Sequence, residues 1–193
     1  RCRRLIEHYA GYPLDDYIVD RMRRPLVRPG MRRAFEKLLR PNTKAVVCTH
    51  ASNLTGDMAD LKKISAFCRK NKLLLVVDAS QTAGVVPIHM TDLGIDVLCF
   101  TGHKGLLGPQ GTGLLLCARL PEPLIAGGTG SNSRQQEMPD FLPDRGEAGT
   151  VNVPGIAGLA AALGFLEKTG IDTIEKREQR QLRRCICGLE SFK

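Results

Sequence analysis

The chain has 193 residues, of which 42% are apolar, so it can bury one sizeable core and form one domain or one domain with part of another. It contains no apolar run of about 18 residues and no signal-peptide pattern, and we therefore expect a soluble, cytoplasmic protein without a membrane span. The net charge of +8 lies mostly in residues 1–40, where clustered arginines could contact nucleic acid. No interleaved aromatic residues and no nucleic-acid motif accompany these arginines, so we expect a solvated basic segment.

The seven cysteines are odd in number, and most of them lie within apolar patterns. This distribution favours reduced, mostly buried thiols over a disulfide framework. Cys185 and Cys187 have no second cysteine or histidine pair at zinc-like spacing, so no metal site is predicted.

The first part of the chain changes from irregular to helical to strand-like patterns. Residues 1–30 are interrupted by proline and glycine and predict irregular or short elements. Apolar residues recur with a helical period over residues 31–40, and Pro41 ends that pattern. Residues 44–49 form a β-branched run typical of a buried parallel strand, and residues 50–56 form its loop.

A second helix and a second strand follow. Asp57 is predicted to cap the helix, whose apolar side runs from Met58 to Cys68. Residues 73–77 are uniformly apolar and end in an acid, Asp78, which predicts another buried strand.

The third strand leads into a glycine-rich loop. A short crossover over residues 84–96 precedes an apolar run at residues 97–100, and a second apolar run at residues 114–117 closes the loop. The alternation of strands with helices predicts an α/β fold with a mostly parallel sheet flanked by helices. The last two strands are joined only by a loop and could be antiparallel.

The C-terminal third begins with a long loop. Residues 127–149 are poor in apolar residues, as is typical of loops kept for function. Residues 154–170 predict a helix whose small residues permit close packing, and residues 171–193 predict a last amphipathic, basic helix.

Polar side chains at two strand ends indicate cofactor chemistry. Asp78 ends one strand and Lys104 follows the next, and the carboxyl ends of parallel strands meet at one edge of a sheet. An amine, a carboxylate and nearby hydroxyl or imidazole donors are the set that a pyridoxal phosphate site needs. Thr101 and His103 could bind the phosphate, and Gln81 could reach the phenolic oxygen of the ring.

Five segments between residues 41 and 170 resemble the motifs of one family, in that family's order. They read THASNLTG, VVDASQTAG, FTGHKGLLGPQGTG, GGTGS and EAGTVNVPGIAGL. In these segments the chain is similar to cysteine desulfurases, within the class V aminotransferases of PLP fold type I. The resemblance implies a fold type I large domain, here incomplete, and pyridoxal 5'-phosphate as the cofactor.

The resemblance also implies a role for each residue at the strand ends. Lys104 corresponds to the Schiff-base lysine, which takes the α-proton of the substrate, and Asp78 to the partner of the pyridinium nitrogen. Gln81 corresponds to the residue that hydrogen-bonds the ring oxygen, and Thr101 and His103 to phosphate ligands.

Further residues are implied at the edge of the site and in a homodimer. Asn53 would lie near cofactor and substrate, and Thr150, with the turn at Gly127 and Gly128, would reach the phosphate of the neighbouring subunit. The implied partners are an amino-acid substrate, for which cysteine is expected, and a sulfur-acceptor protein. No membrane or nucleic-acid partner is expected. The implied reaction converts cysteine to alanine and transfers sulfur as a persulfide.

The chain also departs from the family. From the resemblance we expect its 193 residues to be without the family's N-terminal phosphate-binding loop, the histidine that stacks on the cofactor ring, and the C-terminal domain with the persulfide-forming cysteine. We expect a basic segment over residues 1–40, a PLP-binding core over residues 41–170, and over residues 171–193 the start of a helix leading to an absent domain.

Several alternatives to cysteine desulfuration stay open. One is a catalytically inactive remnant with a basic arm, and others are a selenocysteine lyase, an aminotransferase or an epimerase of the same family. The remaining histidines, His8, His50 and His89, are predicted to be structural.

Overall fold

Four strands form one sheet in the order β1-β2-β3-β4 in the computed structural model, which describes residues 31–131 and 134–190. The strands are β1 Ala45–Thr49, β2 Leu74–Asp78, β3 Val97–Thr101 and β4 Gly113–Cys117. The first three are parallel and β4 pairs with β3 in the antiparallel direction. The predicted mostly parallel α/β fold, including the antiparallel last pair, is therefore confirmed.

Five α-helices and one 3-10 turn accompany the sheet within the described residues. They are α1 Met31–Leu38, α2 Leu61–Asn71, α3 Met90–Leu93, the turn Asp144–Gly146, α4 Val153–Thr169 and α5 Ile171–Glu190. Each predicted helix occurs near its expected bounds. The predicted irregular segment 1–30, with His8, and the final residues 191–193 of the last predicted helix lie outside the described residues. None of the helices described is long and apolar enough to cross a lipid bilayer.

The prediction that Asp57 caps the second helix is wrong. The helix begins at Leu61, and Asp60 is its N-cap, with its Oδ1 accepting a hydrogen bond from the backbone N–H of Lys63 at 3.1 Å. Asp57 instead accepts a hydrogen bond from the Thr55 hydroxyl, and Met58 pairs with Ala51 in an isolated antiparallel bridge. The chain therefore makes a small hairpin before the helix starts.

The main core lies on one face of the sheet. Leu75 and Val77 of β2 are fully buried, and Leu98 of β3 is buried beside them. Ile64 and Cys68 of α2 pack against these strand residues. Burying several such aliphatic side chains stabilises the fold by about 2 kcal/mol each. This core fixes the register of the three parallel strands, and with it the positions of their carboxyl ends.

A second, smaller core joins α4 to the loop between β3 and β4. Leu159 and Leu166 of α4 are buried against Leu106 of that loop. Asn152 caps the N-terminus of this helix, and its side chain accepts a hydrogen bond from the Gly155 N–H at 3.1 Å. The loop that holds the predicted cofactor lysine is thus packed from behind by a helix.

Candidate active site

The predicted site lies at the edge of the sheet where β1, β2 and β3 end. The register places Thr49, Asp78 and Cys99 level with one another at this edge. The backbone N–H of His50 donates to the Asp78 carbonyl at 2.8 Å, and the N–H of Ala79 donates to the Cys99 carbonyl at 2.8 Å. The parallel ladder therefore continues to the first residues after β1 and β2, and β3 runs two residues beyond that level before its own loop starts.

The loop after β2 holds the predicted acid. Asp78 is half-buried, and its Oδ1 accepts a hydrogen bond from the Ser80 N–H at 2.8 Å. This bond fixes one oxygen of the carboxylate toward the protein backbone. Gln81, also half-buried, follows in the same turn, where Thr82 N–H donates to the Ala79 carbonyl at 2.9 Å.

The loop after β3 holds the predicted lysine. Its two ends are tied together, because the N–H of Gly102 donates to the Thr112 carbonyl at 2.8 Å. Inside it, the Gly108 N–H donates to the Gly102 carbonyl at 2.8 Å and the Leu107 N–H to the Lys104 carbonyl at 2.9 Å. Lys104 is half-buried in this folded loop, whereas His103 beside it is exposed. The lysine therefore stands on a fixed backbone.

These two loops cross each other backbone to backbone. Gly84 has φ +84°, and a Cβ built on it would overlap the Gly105 carbonyl. A Cβ on Gly105 would in turn overlap the Ala83 carbonyl and come within 2.6 Å of a Val85 methyl. Only glycine permits this approach. The crossing fixes the lysine loop against the loop of Asp78 and Gln81, and no local pattern in the sequence predicts it.

A buried hydroxyl without a partner among the described residues lies in the last residue of β3, directly before the lysine loop. Thr101 Oγ1 is inaccessible to solvent and has no hydrogen-bond partner among the described residues. Buried hydroxyls in proteins are ordinarily hydrogen-bonded, so an orphaned one next to a strand end suits a ligand with acceptor oxygens. Together with the amine of Lys104 and the carboxylate of Asp78, this donor fits pyridoxal phosphate.

The residues predicted to face a second subunit come together on an exposed part of the chain. Gly149 N–H donates to the Gly128 carbonyl at 2.9 Å, and Gly127 approaches Ala148, so the turn at 127–128 lies beside Thr150. Thr150 is exposed, as is Asn53 in the loop after β1. The structure thus joins the turn to Thr150, and it leaves Asn53 accessible in the loop next to that of Asp78.

One pair of buried polar residues escaped the sequence-based reasoning. His50 Nδ1 lies 2.8 Å from Thr82 Oγ1, and both side chains are buried. Burial lowers the pKa of the His50 imidazole below its ordinary value of 6.5. The sequence predicts a structural role for His50 but no partner for it, and Thr82 stands out only as the residue after Gln81. The contact between them depends on the strand register, which the sequence does not show.

Two cysteines of the sheet, Cys48 and Cys99, are poor nucleophiles. Burial, with a smaller effect of Cys68, raises the pKa of the Cys48 thiol to about 11. Burial and then the Asp78 carboxylate raise the pKa of Cys99. Because the reactive form of cysteine is the thiolate, these thiols are suited to packing. Within residues 31–131 and 134–190, no three His, Cys, Asp or Glu side chains are grouped so that they could hold a metal ion.

The sheet is mostly parallel and presents a lysine loop and a carboxylate at its strand ends. This arrangement defines a class, the PLP-dependent enzymes of fold type I, and the structural neighbours of the chain belong to that class. Within this class, the chain belongs to the aminotransferase class-V family, whose model matches residues 17–193. The predicted resemblance to this family is thereby confirmed.

Individual relatives narrow the comparison to cysteine desulfurases. A probable cysteine desulfurase of Pyrococcus abyssi is 35% identical over 158 residues, which are 77% of this chain and 39% of that protein. The apo structure of the cysteine desulfurase from Thermococcus onnurineus NA1 gives a TM-score of 0.66 at 33% identity, covering 77% of this chain and 38% of that one.

A third relative has been solved with an amino acid. The structure of SspA in complex with cysteine gives a TM-score of 0.56 at 27% identity, covering 68% of this chain and 35% of that one. The chain spans less than two fifths of the length of each of these three relatives.

Proposed function

We propose that the chain carries the cofactor-binding part of a PLP-dependent cysteine desulfurase, with Lys104 and Asp78 as its catalytic residues. The observation that supports this most is the glycine crossing, which packs the Lys104 loop against the loop of Asp78 at one sheet edge. When bound, pyridoxal phosphate supplies an electron sink that labilises bonds at the α-carbon of an amino acid.

Each residue of the proposed site has a separate role toward the cofactor. Lys104 would supply the amine that holds the cofactor through its aldehyde and would then move the α-proton of the substrate. Asp78, oriented by the Ser80 N–H, keeps a proton on the ring nitrogen. Gln81 would hydrogen-bond the ring oxygen, and the Thr101 hydroxyl would donate to the phosphate together with His103.

The remaining features of the proposal concern substrate and partners. Cysteine is proposed as the substrate because the relatives are described as cysteine desulfurases and one was solved with cysteine. Asn53 would lie near that substrate, and Thr150 with the turn at 127–128 would reach the phosphate of a second subunit. We place the reaction in the reducing cytoplasm, with a sulfur-acceptor protein, in keeping with the free thiols of the described cysteines.

Cofactor attachment tests the proposal directly. The purified chain is incubated with pyridoxal phosphate, reduced with borohydride and digested, and the pyridoxyl-peptides are identified by mass spectrometry. The adduct is expected on Lys104 and is expected to disappear in Lys104→Ala. Lys44→Ala is the matched control, since Lys44 is exposed and precedes β1 at the opposite edge of the sheet.

Two other outcomes have distinct meanings. Labelling spread over many lysines, or absent, would contradict the proposal and favour the catalytically inactive chain. A specific adduct on Lys104 without release of sulfur from cysteine would support the cofactor site and contradict activity of this chain by itself.

A further inference from the structure

The buried pair His50 and Thr82 joins two of the three loops at the predicted site. His50 is the first residue after β1, and Thr82 is the fourth after β2. Their side chains are 5% and 3% exposed, and His50 Nδ1 lies 2.8 Å from Thr82 Oγ1. A hydrogen bond shielded from water in this way is stronger and more directional than one at the surface.

Backbone hydrogen bonds hold the same two residues from both sides. The His50 N–H donates to the Asp78 carbonyl at 2.8 Å, and the His50 carbonyl accepts from the Ala59 N–H at 2.7 Å. The Thr82 carbonyl accepts from the N–H of Val86 at 2.8 Å. The side-chain bond therefore joins two segments whose backbones are already held by other hydrogen bonds. A shift of one segment would consequently move the other.

The loop after β2 is thus held at two points. The His50 contact holds it toward β1, and the Gly84 crossing with Gly105 holds it toward the lysine loop. Asp78 and Gln81 stand before the Gly84 crossing, and Gln81 directly precedes Thr82. A displacement of Thr82 would therefore move Gln81 directly, and would tilt the turn that orients Asp78.

We infer that His50 and Thr82 are positioning residues, whose hydrogen bond fixes residues 78–83 against β1 and so sets where Asp78 and Gln81 meet the cofactor. The fixing of the segment stands on the contacts alone. The consequence for the cofactor rests on the proposed function.

Four variants of the 193-residue chain separate positioning from general stability. Thr82→Val removes the hydroxyl at constant shape, and Thr82→Ser restores it. His50→Asn keeps a nitrogen close to the position of Nδ1. His89→Gln is the matched control, because His89 is exposed and makes no side-chain capping bond. Thermal unfolding by circular dichroism shows that each variant is folded before it is compared.

Hydrogen exchange and cofactor binding are then measured on each variant. Thr82→Val removes the bond to His50 Nδ1 and also a longer one, at 3.4 Å, that the Thr82 hydroxyl donates to the Ala79 carbonyl. Amides 80–83 are therefore expected to exchange about tenfold faster in this variant, while those of α4 stay unchanged. Pyridoxal phosphate is expected to bind about tenfold more weakly and to show a shifted pH midpoint of its absorbance band. In Thr82→Ser and His50→Asn, the exchange rates and the cofactor affinity are expected to stay close to those of the unmodified chain. His89→Gln is expected to change neither quantity.

The exchange arm and the cofactor arm fail separately. If Thr82→Val leaves exchange of amides 80–83 unchanged, or if Thr82→Ser is as impaired as Thr82→Val, the inference is wrong. If the unmodified chain does not attach pyridoxal phosphate at Lys104, the proposed function is wrong, and the exchange arm still decides whether the pair fixes the segment. Should Thr82→Val fail to fold, His50→Ala, which removes Nδ1, is measured instead. Faster exchange of amides 80–83 is then expected, and unchanged exchange would overturn the inference.

Discussion

At the scale of the residue, the Thr101 hydroxyl offers a test of the proposed cofactor site. Its Oγ1 is buried with no hydrogen-bond partner among the residues that the structure describes, which costs free energy as long as no ligand supplies one. Thr101→Val keeps the shape and removes that hydroxyl, so we expect the free energy of unfolding to rise by about 1 kcal/mol while the affinity for pyridoxal phosphate falls. Urea unfolding and cofactor titration check the two directions.

A second threonine of the same segment provides the control. Thr112 Oγ1 donates to the Pro109 carbonyl at 2.6 Å, so its hydroxyl is satisfied within the protein. Thr112→Val should therefore lower stability by about 1 kcal/mol. If Thr101→Val and Thr112→Val change stability in the same direction, the Thr101 hydroxyl is not held in reserve for a ligand.

His50 makes stability depend on pH in a defined direction. Burial lowers the pKa of the folded imidazole below 6.5, so the unfolded chain binds a proton that the folded chain resists. The contribution of His50 is therefore complete above its unfolded pKa and is lost as pH falls from there toward the folded pKa. The melting temperature should drop more in the native chain than in His50→Asn between about pH 7.5 and about pH 5. Parallel curves for the two proteins would contradict this assignment.

At the scale of elements, the start of α2 is decided by geometry that composition does not reveal. The apolar pattern begins at Met58 and therefore favours Asp57 as the cap, whereas the helix of the structure begins at Leu61 with Asp60 as its cap. Asp60→Ala should lower the free energy of unfolding by about 1 kcal/mol, whereas Asp57→Ala should change it by about 0.5 kcal/mol or less. Chemical denaturation of the two variants gives the comparison, and equal losses would show that the cap is not localised at Asp60.

The same cap has its own pH dependence. The side-chain hydrogen bond from Lys63 lowers the pKa of Asp60. A carboxylate with a depressed folded pKa stabilises the fold above its unfolded pKa, and this contribution disappears as pH falls through the folded pKa. The difference in stability between the native chain and Asp60→Ala should therefore shrink in acid.

The crossing of two loops predicts a large difference between two glycines with similar backbones. Gly56 has φ +72° with nothing within 4 Å of a built Cβ, and Gly84 has φ +84° with its Cβ overlapping the Gly105 carbonyl. Gly56→Ala should cost about 1 kcal/mol through its left-handed conformation alone. Gly84→Ala should cost at least about 4 kcal/mol or prevent folding, and should abolish labelling of Lys104. Similar melting temperatures for the two variants would show that the crossing is not rigid.

The elements of this fold could be predicted because they are local, and the site could be predicted only in part. Period and burial patterns give the strands and helices, since an apolar run such as that before Asp78 is visible in the chain itself. The resemblance to the family motifs predicts Lys104 and the other residues of the proposed cofactor site. The contacts of His50 with Thr82 and of Gly84 with Gly105 join distant parts of the chain, and they follow from sheet register and loop path, which no local pattern encodes.

At the scale of the whole molecule, the two faces of the sheet differ in what covers them. One face is buried by α2, as Val77 at 0% exposure shows. On the other face Val47 is 74% exposed, Leu74 53% and Leu115 60%. An apolar face of this kind is unusual on a monomer in water and favours association.

That open face should make the chain self-associate, and lysines placed on it should suppress the association. We expect the double substitution Val47→Lys with Leu115→Lys to shift the chain toward monomer in sedimentation velocity over a series of concentrations, at little cost to stability because both sites face solvent. The control adds the same two charges at Gln135 and Gln136, which are exposed residues of the long loop and belong to no strand. Because both variants carry equal net charge, any difference between them comes from the face itself and not from general repulsion. Equal suppression by the two variants, or a monomeric native chain at high concentration, would show that the open face does not drive association.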